Sequence, residues 1–233
     1  MTNGPDSRIE QTPATRRRGR PRKHDTDALT DAVMRAYWLA GPDALSVNDL
    51  ARTLGVSKPA LYRTFGDEDG VLEAALGRYR TLKQLPLLER LREPTPLAVS
   101  LARLASWLAA DRSPIPGCLL AKSRNASRDF GPATRRRIET MRDELRGAFE
   151  DWAARAAERG ELRADLDPTF VGGYVDAQLT QFLMDKARGL EPTVIEARAR
   201  LAFGALLPLG ESMPSAGEAM PPQGRTREQG SEA

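Results

Sequence analysis

The residues best suited to chemistry in this sequence form one short polar series, residues 57–64. Lys58 and Arg63 carry positive charges that can reach DNA phosphates or the edges of guanine bases. The hydroxyls of Ser57 and Tyr62 can donate hydrogen bonds to phosphate oxygens. The chemistry that this series favours is recognition of a polyanion.

Two short helices separated by a glycine turn must position this series. Ser46 is followed three residues later by Asp49, a pair like a capping box, so the first helix is expected to begin there. Gly55 ends it, and Ser57 caps the next helix, whose first turn tolerates Pro59. This spacing is typical of a helix-turn-helix, whose second helix enters the major groove. Two surface helices of any helical bundle would give the same pattern.

A second basic segment lies at the N-terminus. Residues 1–24 hold seven Lys or Arg against two carboxylates, in a chain of net charge +3. Residues 18–21, Arg-Gly-Arg-Pro, resemble the core of an AT-hook, whose arginines seek the negative potential of a narrow minor groove. An arm that contacts only phosphates is the alternative. Both interpretations predict that residues 1–23 are a disordered basic arm that contacts DNA through Arg18, Arg20, Arg22 and Lys23.

Several classes of function lack the residues that they need. Cys118 is the single cysteine, which excludes an internal disulfide and a metal site built from cysteine pairs. His24 is the single histidine, and no phosphate-binding loop or nucleophile motif is present. We therefore expect no cofactor, no metal and no enzymatic activity, although paired carboxylates in a helical enzyme stay open. No apolar stretch approaches membrane-spanning length, so a cytoplasmic protein is expected.

The apolar residues recur at helical spacing with little alternation of period two, which predicts an all-α fold. We expect helices over 27–40, 67–92, 97–110, 132–159, 168–189 and 192–209, and a short helix from Cys118. Cys118 could sense an electrophile, an oxidant or a metal, or could be a small buried hydrophobe. Six residues of the C-terminal domain could line a ligand pocket or be ordinary core: Trp107, Cys118, Met141, Phe149, Trp152 and Met184.

The run of residues 29–76 resembles the DNA-binding domain of the TetR/AcrR family of regulators. Its most specific part is the pattern A-x-x-L-G-V-S-K-x-x-L-Y-x-x-F at residues 51–65. The resemblance implies a helix-turn-helix DNA-binding domain (24–70), a connecting helix (71–92), a helical ligand-binding and dimerisation domain (93–210) and a disordered tail (211–233). It implies a homodimer that reads a palindromic operator. DNA contacts are expected from Ser46, Arg52, Ser57, Lys58, Pro59, Tyr62, Arg63 and Thr64.

Two features depart from the family pattern. Glu68 stands where the family usually has a lysine that touches phosphate, and it is flanked by Asp67 and Asp69. These carboxylates suit a helix N-terminus but would repel DNA if they faced it. Pro59 stands where the family often has glycine or threonine.

The two apolar segments 170–183 and 194–207 are expected to form the dimer interface. Gly172 and Gly173 are costly inside a helix, and the close approach of a partner backbone would explain them. The leading interpretation is a repressor that a small-molecule effector releases from its operator. The alternative is an architectural binder of AT-rich DNA that uses the basic arm.

Overall fold

The computed structural model describes residues 23–110 and 115–215, with side chains from residue 26 onward in the first range. These ranges are helical and contain no strand, which confirms the all-α prediction. None of their helices combines the length and hydropathy that crossing a bilayer requires. The predictions for Arg18, Arg20 and Arg22 lie outside the described residues, as do those for the tail beyond residue 215.

The N-terminal domain is built on three helices: α1 (Lys23–Ala40), α2 (Val47–Leu54) and α3 (Lys58–Phe65). Their inner faces bury Val33, Leu50 and Leu61 completely in one core. Helix α1 begins four residues earlier than the sequence predicts, so the arm cannot extend to residue 23. Lys23 is the first residue of α1.

A helical rod follows, made of α4 (Glu68–Tyr79), a π-helical turn (Arg80–Gln84) and α5 (Leu85–Arg92). Pro86 accounts for the wide turn. Proline lacks the N–H that an α-helix needs, and its ring would clash with the carbonyl four residues earlier, which belongs to Leu82. The predicted single helix from residue 67 to residue 92 is therefore continuous but widened at its middle.

Five further helices complete the C-terminal domain: α6 (Leu97–Ala109), α7 (Leu119–Arg124), α8 (Pro132–Glu158), α9 (Pro168–Ala187) and α10 (Pro192–Gly204). Helix α8 packs on α9, and α6 packs on α10. Helix α10 ends five residues before the predicted end. Leu206 and Leu207 follow it and are buried in the core of their own chain, so residues 205–207 do not extend a helical interface.

The glycine pair of α9 has a different explanation from the one expected. A Cβ at Gly172 would lie 2.7 Å from the backbone nitrogen of Glu150, on α8 of the same chain. Gly172 is therefore required by packing within the subunit and not by a partner backbone. A Cβ at Gly173 would meet nothing within 4 Å.

The start of the tail also departs from the expectation of disorder. Arg200 on α10 donates hydrogen bonds to the carbonyls of Met213 and Pro214, at 3.1 and 2.8 Å. The side chain of Met213 packs on the core. Residues 211–215 are thus attached to α10.

The rod runs parallel to α8. Four contacts join residues of the rod to residues 64 positions later in the chain, from Asp69 with Ala133 to Leu91 with Arg155. Between them, Glu73 binds Arg137, and Arg80 donates to Glu144 at 2.6 and 2.7 Å. A constant difference in residue number between contacting residues requires that the two helices run in the same direction.

Asp69 caps the N-terminus of α8 from outside that helix. Its carboxylate accepts the N–H groups of Ala133 at 2.7 Å and Thr134 at 3.0 Å. Helix α8 begins after Gly131, where any side chain would overlap this carboxylate. Burial raises the pKa of Asp69, but the hydrogen bonds from Thr134 and Ala133 outweigh it and hold the pKa below its usual value.

We predict that Asp69→Ala lowers the free energy of unfolding by about 1–2 kcal/mol at neutral pH, the usual cost of a lost cap. Because the folded-state pKa is lowered, this contribution is complete above the unfolded pKa of about 3.9 and disappears as the pH falls through the folded value. Asp69→Asn keeps most of the cap, because Asn caps as well as Asp, and removes the titration. Urea unfolding at neutral and acidic pH measures both effects.

The matched control is Glu68→Ala, which removes an exposed ion pair and should cost less than about 1 kcal/mol. Equal losses in Asp69→Ala and Glu68→Ala would contradict the capping role.

Candidate nucleic-acid interface and internal cavity

The turn between α2 and α3 is fixed by local hydrogen bonds. Ser46 accepts the N–H of Asp49 at 3.1 Å and donates to the Asp49 carboxylate at 2.5 Å. Gly55 ends α2 with a φ of 64°, a left-handed conformation that glycine adopts without strain. Ser57 then caps α3 by accepting the N–H of Ala60 at 3.3 Å. These caps set the angle at which α3 leaves α2.

The outer face of α3 presents hydrogen-bond donors to solvent. Arg63 and Thr64 are exposed. The Thr64 hydroxyl donates to the carbonyl of Ala60 at 3.1 Å, whereas within the described ranges the guanidinium of Arg63 has no protein partner. Tyr62 is half-buried, and Nζ of Lys58 lies 5.3 Å from the centroid of its ring. Pro59 lies in the first turn, exposed, where it removes no intrahelical hydrogen bond. This face can therefore bind phosphate and base edges.

Two predicted contact residues, one on α2 and one at its N-cap, are partly engaged within the protein. Arg52 is exposed and pairs with Asp49 at 3.0 Å. The Ser46 hydroxyl is used in the cap described above. Surface pairs of this kind are weak, so the Arg52 guanidinium can exchange Asp49 for a phosphate.

The three carboxylates that would repel DNA if they faced it each have a partner within the protein. Asp67 caps α4 by accepting the N–H of Gly70 at 2.8 Å. Glu68 accepts a hydrogen bond from Arg128 at 2.8 Å, and Asp69 caps α8. Asp69 and Glu68 thus bind the C-terminal domain. Their departure from the family pattern serves contact between the domains.

A cavity of about 720 Å³ lies within the C-terminal domain and reaches the rod and α1. Its volume is within the range of pockets that hold drug-sized molecules. Leucines and aromatic residues make up 14 of the 32 wall residues, and Arg124 and Asp176 form an ion pair of 3.0 Å in it. No group of three or more potential metal-ligating side chains occurs among the residues that the structure describes.

The predicted pocket residues divide into two groups. Four of them line the cavity: Trp107, Cys118, Phe149 and Trp152. Met141 is completely buried in the core, and Met184 is half-buried; neither belongs to the wall.

Sequence reasoning missed Trp38 and Gln84 as wall residues. A polar residue at an inward position of a helical pattern was the available signal for Gln84.

The Cys118 thiol has structural contacts at the cavity wall. Its sulfur accepts the N–H of Ala121 at 3.4 Å and caps α7. Burial raises the pKa of the thiol, although the hydroxyl of Tyr79 and nearby N–H groups oppose the rise. A raised pKa lowers the thiolate fraction at neutral pH, which favours the structural role over a reactive one.

Helix α1 also forms part of the cavity wall. The indole N–H of Trp38 donates to the carbonyl of Gly117 at 3.1 Å, and its ring meets Tyr79 edge to face at 5.1 Å. Nζ of Lys122 on α7 donates to the last carbonyls of α1, those of Trp38 and Leu39, at 2.6 and 3.2 Å. Desolvation lowers the pKa of Lys122. One short helix therefore contacts both the cavity and the N-terminal domain.

Comparison with known proteins agrees with this architecture. Residues 29–75 match the family model of bacterial regulatory proteins of the tetR family. The chain is 40% identical over 62 residues to the transcriptional repressor ComR of Escherichia coli, covering 27% of this chain and 30% of ComR. It is 30% identical over 100 residues to the repressor BdcR of the same organism, covering 43% and 51%. The chain thus spans about a third to a half of the length of these curated relatives.

Other relatives match over more of their length. The regulator YezE of Bacillus subtilis is 25% identical over 162 residues, covering 68% of this chain and 84% of YezE. Among solved structures, a cysteine mutant of the TetR-family regulator CifR, complexed with a 26-base-pair operator DNA, shares the fold with a TM-score of 0.66. It has 23% identity, with 81% of this chain and all of that chain covered. The reduced form of Escherichia coli NemR has a TM-score of 0.62 and 16% identity, with 81% and 97% covered.

Fold and surface together define the class: a helical protein with an N-terminal helix-turn-helix and a larger domain that contains a cavity. Its residues 29–75 are similar to the DNA-binding domain of bacterial regulatory proteins of the tetR family.

We predict that Arg63→Ala weakens binding to a selected DNA site by about 1–3 kcal/mol, because its guanidinium faces solvent on α3. If Arg63 reads a base edge, the preference at one base position is lost as well. Electrophoretic mobility shift with single-base variants of the site measures both effects.

Arg142→Ala is the control, because Arg142 is an exposed arginine of α8 in the other domain. Undiminished affinity in Arg63→Ala, or an equal loss in Arg142→Ala, would remove Arg63 from the interface.

Proposed function

We propose that the protein is a sequence-specific transcriptional regulator, a repressor that a small-molecule effector releases from a palindromic operator. The proposal rests on one observation: helices that pack in the N-terminal domain with α3, whose outer face is rich in donors, also line the internal cavity. The relatives ComR and BdcR are named as transcriptional repressors. The cytoplasm, which holds the bacterial chromosome, is the expected compartment.

Two copies of the chain are needed to read a palindrome, because one α3 contacts only a half-site. The two recognition helices must lie about 34 Å apart, one turn of DNA. A closed two-fold dimer fixes that distance. Joining the modules also makes the second contact intramolecular, which raises affinity without new contacts.

The dimer face that we propose is the solvent-facing stripe of α9 and α10. Exposed apolar side chains recur along both helices at helical spacing: Phe170, Ala177, Val194, Ala197 and Leu201. Phe182, which the sequence pattern placed in the interface, is only 4% exposed and meets Phe203 edge to face at 6.0 Å. The face is therefore rotated from the predicted stripe. Two helices from each subunit would pack as a four-helix bundle.

The route from the cavity to α3 passes through α7. A ligand that moves the segment from Gly117 to Lys122 alters the hydrogen bonds that hold the end of α1. Release follows if the ligand prefers a conformation in which the two α3 helices are wrongly spaced. The coupling is reciprocal, so operator DNA should weaken ligand binding by the same factor.

The alternatives have less support. An architectural binder would rely on the N-terminal arm, and it leaves the ordered face of α3 without a role. For an enzyme, the described residues offer no metal-ligating cluster, and the thiol of Cys118 is held in a helix cap.

Selection of bound duplexes from a random DNA pool tests the proposal. A regulator enriches one motif with two-fold symmetry. An architectural protein enriches AT-rich DNA without a motif of fixed length, and that result would overturn the proposal.

We predict that Leu201→Glu produces a folded monomer with greatly reduced operator binding. Leu201 is 80% exposed in the single chain, so the charge costs little until a partner buries it. Analytical ultracentrifugation and circular dichroism measure association and folding.

Two further leucine or phenylalanine positions make the test specific. Leu209→Glu, at a residue 95% exposed beyond the end of α10, should leave the dimer intact. Phe182→Glu should instead unfold the chain. A Leu201→Glu protein that stays dimeric would place the interface elsewhere.

A further inference from the structure

One side chain in the cavity wall has an incomplete set of hydrogen bonds. Gln84 is 4% exposed, and its Nε2 donates to the Met141 carbonyl at 2.9 Å and to the Glu144 carboxylate at 3.0 Å. Both partners are pure acceptors, so the amide cannot be turned around without placing oxygen against oxygen. Its Oε1 must therefore point away from them.

That Oε1 atom is buried and has no hydrogen-bond partner. A buried acceptor without a partner is rare, because its lost hydration is not replaced. Gln84 is also the last residue of the π-helical turn, a distortion that often occurs at functional sites. Glu144 is held in place by Arg80, so the amide is anchored on its donor side. The arrangement leaves one fixed acceptor at the wall.

The wall has a net positive charge, which disfavours a cationic ligand: it holds Lys83, Arg90, Arg103, Arg124 and Lys186 against Glu93 and Asp176. Arg124 already pairs with Asp176, which leaves no free carboxylate at that point for a cation. Nζ of Lys83 lies 5.1 Å from the centroid of the Trp38 ring. An anionic group at Gln84 would face its carbonyl oxygen with Glu144 close behind, which is electrostatically unfavourable.

We infer that the cavity binds a mainly apolar, uncharged molecule that carries a hydroxyl or N–H group, and that Oε1 of Gln84 accepts the hydrogen bond from that group. The inference deepens the proposed function, since it rests on the cavity being a ligand site. Gln84 then determines specificity, because a ligand without a donor leaves the buried oxygen unsatisfied.

Two probes of the same shape test the inference: para-phenylphenol and its methyl ether, which lacks the donor. All three tryptophans of the chain, Trp38, Trp107 and Trp152, line the cavity, so intrinsic fluorescence reports binding of either probe. The full-length protein should bind the phenol about tenfold or more tightly than the ether. Equal affinities, or no saturable binding of either probe, would overturn the inference.

The matched variants are Gln84→Met and Gln178→Met, the same substitution inside and outside the wall. Gln84→Met should bind both probes equally and keep the ether affinity of the wild type, whereas Gln178→Met should keep the preference for the phenol. A preserved preference in Gln84→Met would assign the donor contact to another residue and refute the inference. Circular dichroism reveals whether Gln84→Met folds. If it does not, the wild-type comparison and the Gln84→Asn variant test the inference. In Gln84→Asn the side chain is shorter by one methylene, so its carbonyl is withdrawn from the ligand and the preference for the phenol should fall.

The outcome for the proposed function is measured separately, by release of the selected operator duplex. Binding of the phenol through Gln84 without release of DNA would leave this inference standing and refute effector control. Release of DNA by phenol and ether at equal affinity would support effector control and refute this inference.

Discussion

The parallel pairing of the rod with α8 is the constraint on which the rest of the molecule depends. The contacts from Asp69–Ala133 to Leu91–Arg155 keep one register along both helices. Helix α4 is also the surface on which α1 packs. The orientation of the N-terminal domain is therefore tied to α8, and a shift of α8 along its axis would have to break several charged contacts together.

A second link between the domains has a different character. Lys122 and Trp38 join α7 to α1 through three hydrogen bonds, two of which end on carbonyls at the end of a helix. These contacts are few, and they border the cavity, whereas the contacts of the rod with α8 are numerous. Under the proposed function, a ligand in the cavity would have the weak link within reach, and the strong link would act as a fixed hinge.

Much of the N-terminal domain was predictable because its signals are local. Ser46, Ser57 and Asp67 each cap a helix by reaching an N–H three residues onward, and sequence spacing alone specifies such contacts. The roles of Glu68 and Asp69 were not predictable, because their partners lie about sixty residues away.

The C-terminal domain shows the same division. Helical periodicity identified the apolar residues of α8 and α9 but could not distinguish the wall of a cavity from solid core. Met141 and Phe149 share one stripe, yet only Phe149 reaches the cavity. Gly172 is a further case. A glycine that allows close approach of another backbone looks the same in the sequence whether that backbone belongs to α8 or to a second subunit. Such distinctions depend on tertiary packing.

The π-helical turn also affects how this chain is compared with its relatives. A π turn holds an extra residue in a helix, and one residue corresponds to about 100° of rotation around a helix axis. An ungapped alignment with a relative whose helix is purely α would assign every residue of α5 to the wrong face. Transfer of ligand-contact positions from such a relative to Leu85–Arg92 therefore requires a one-residue gap placed within Arg80–Gln84.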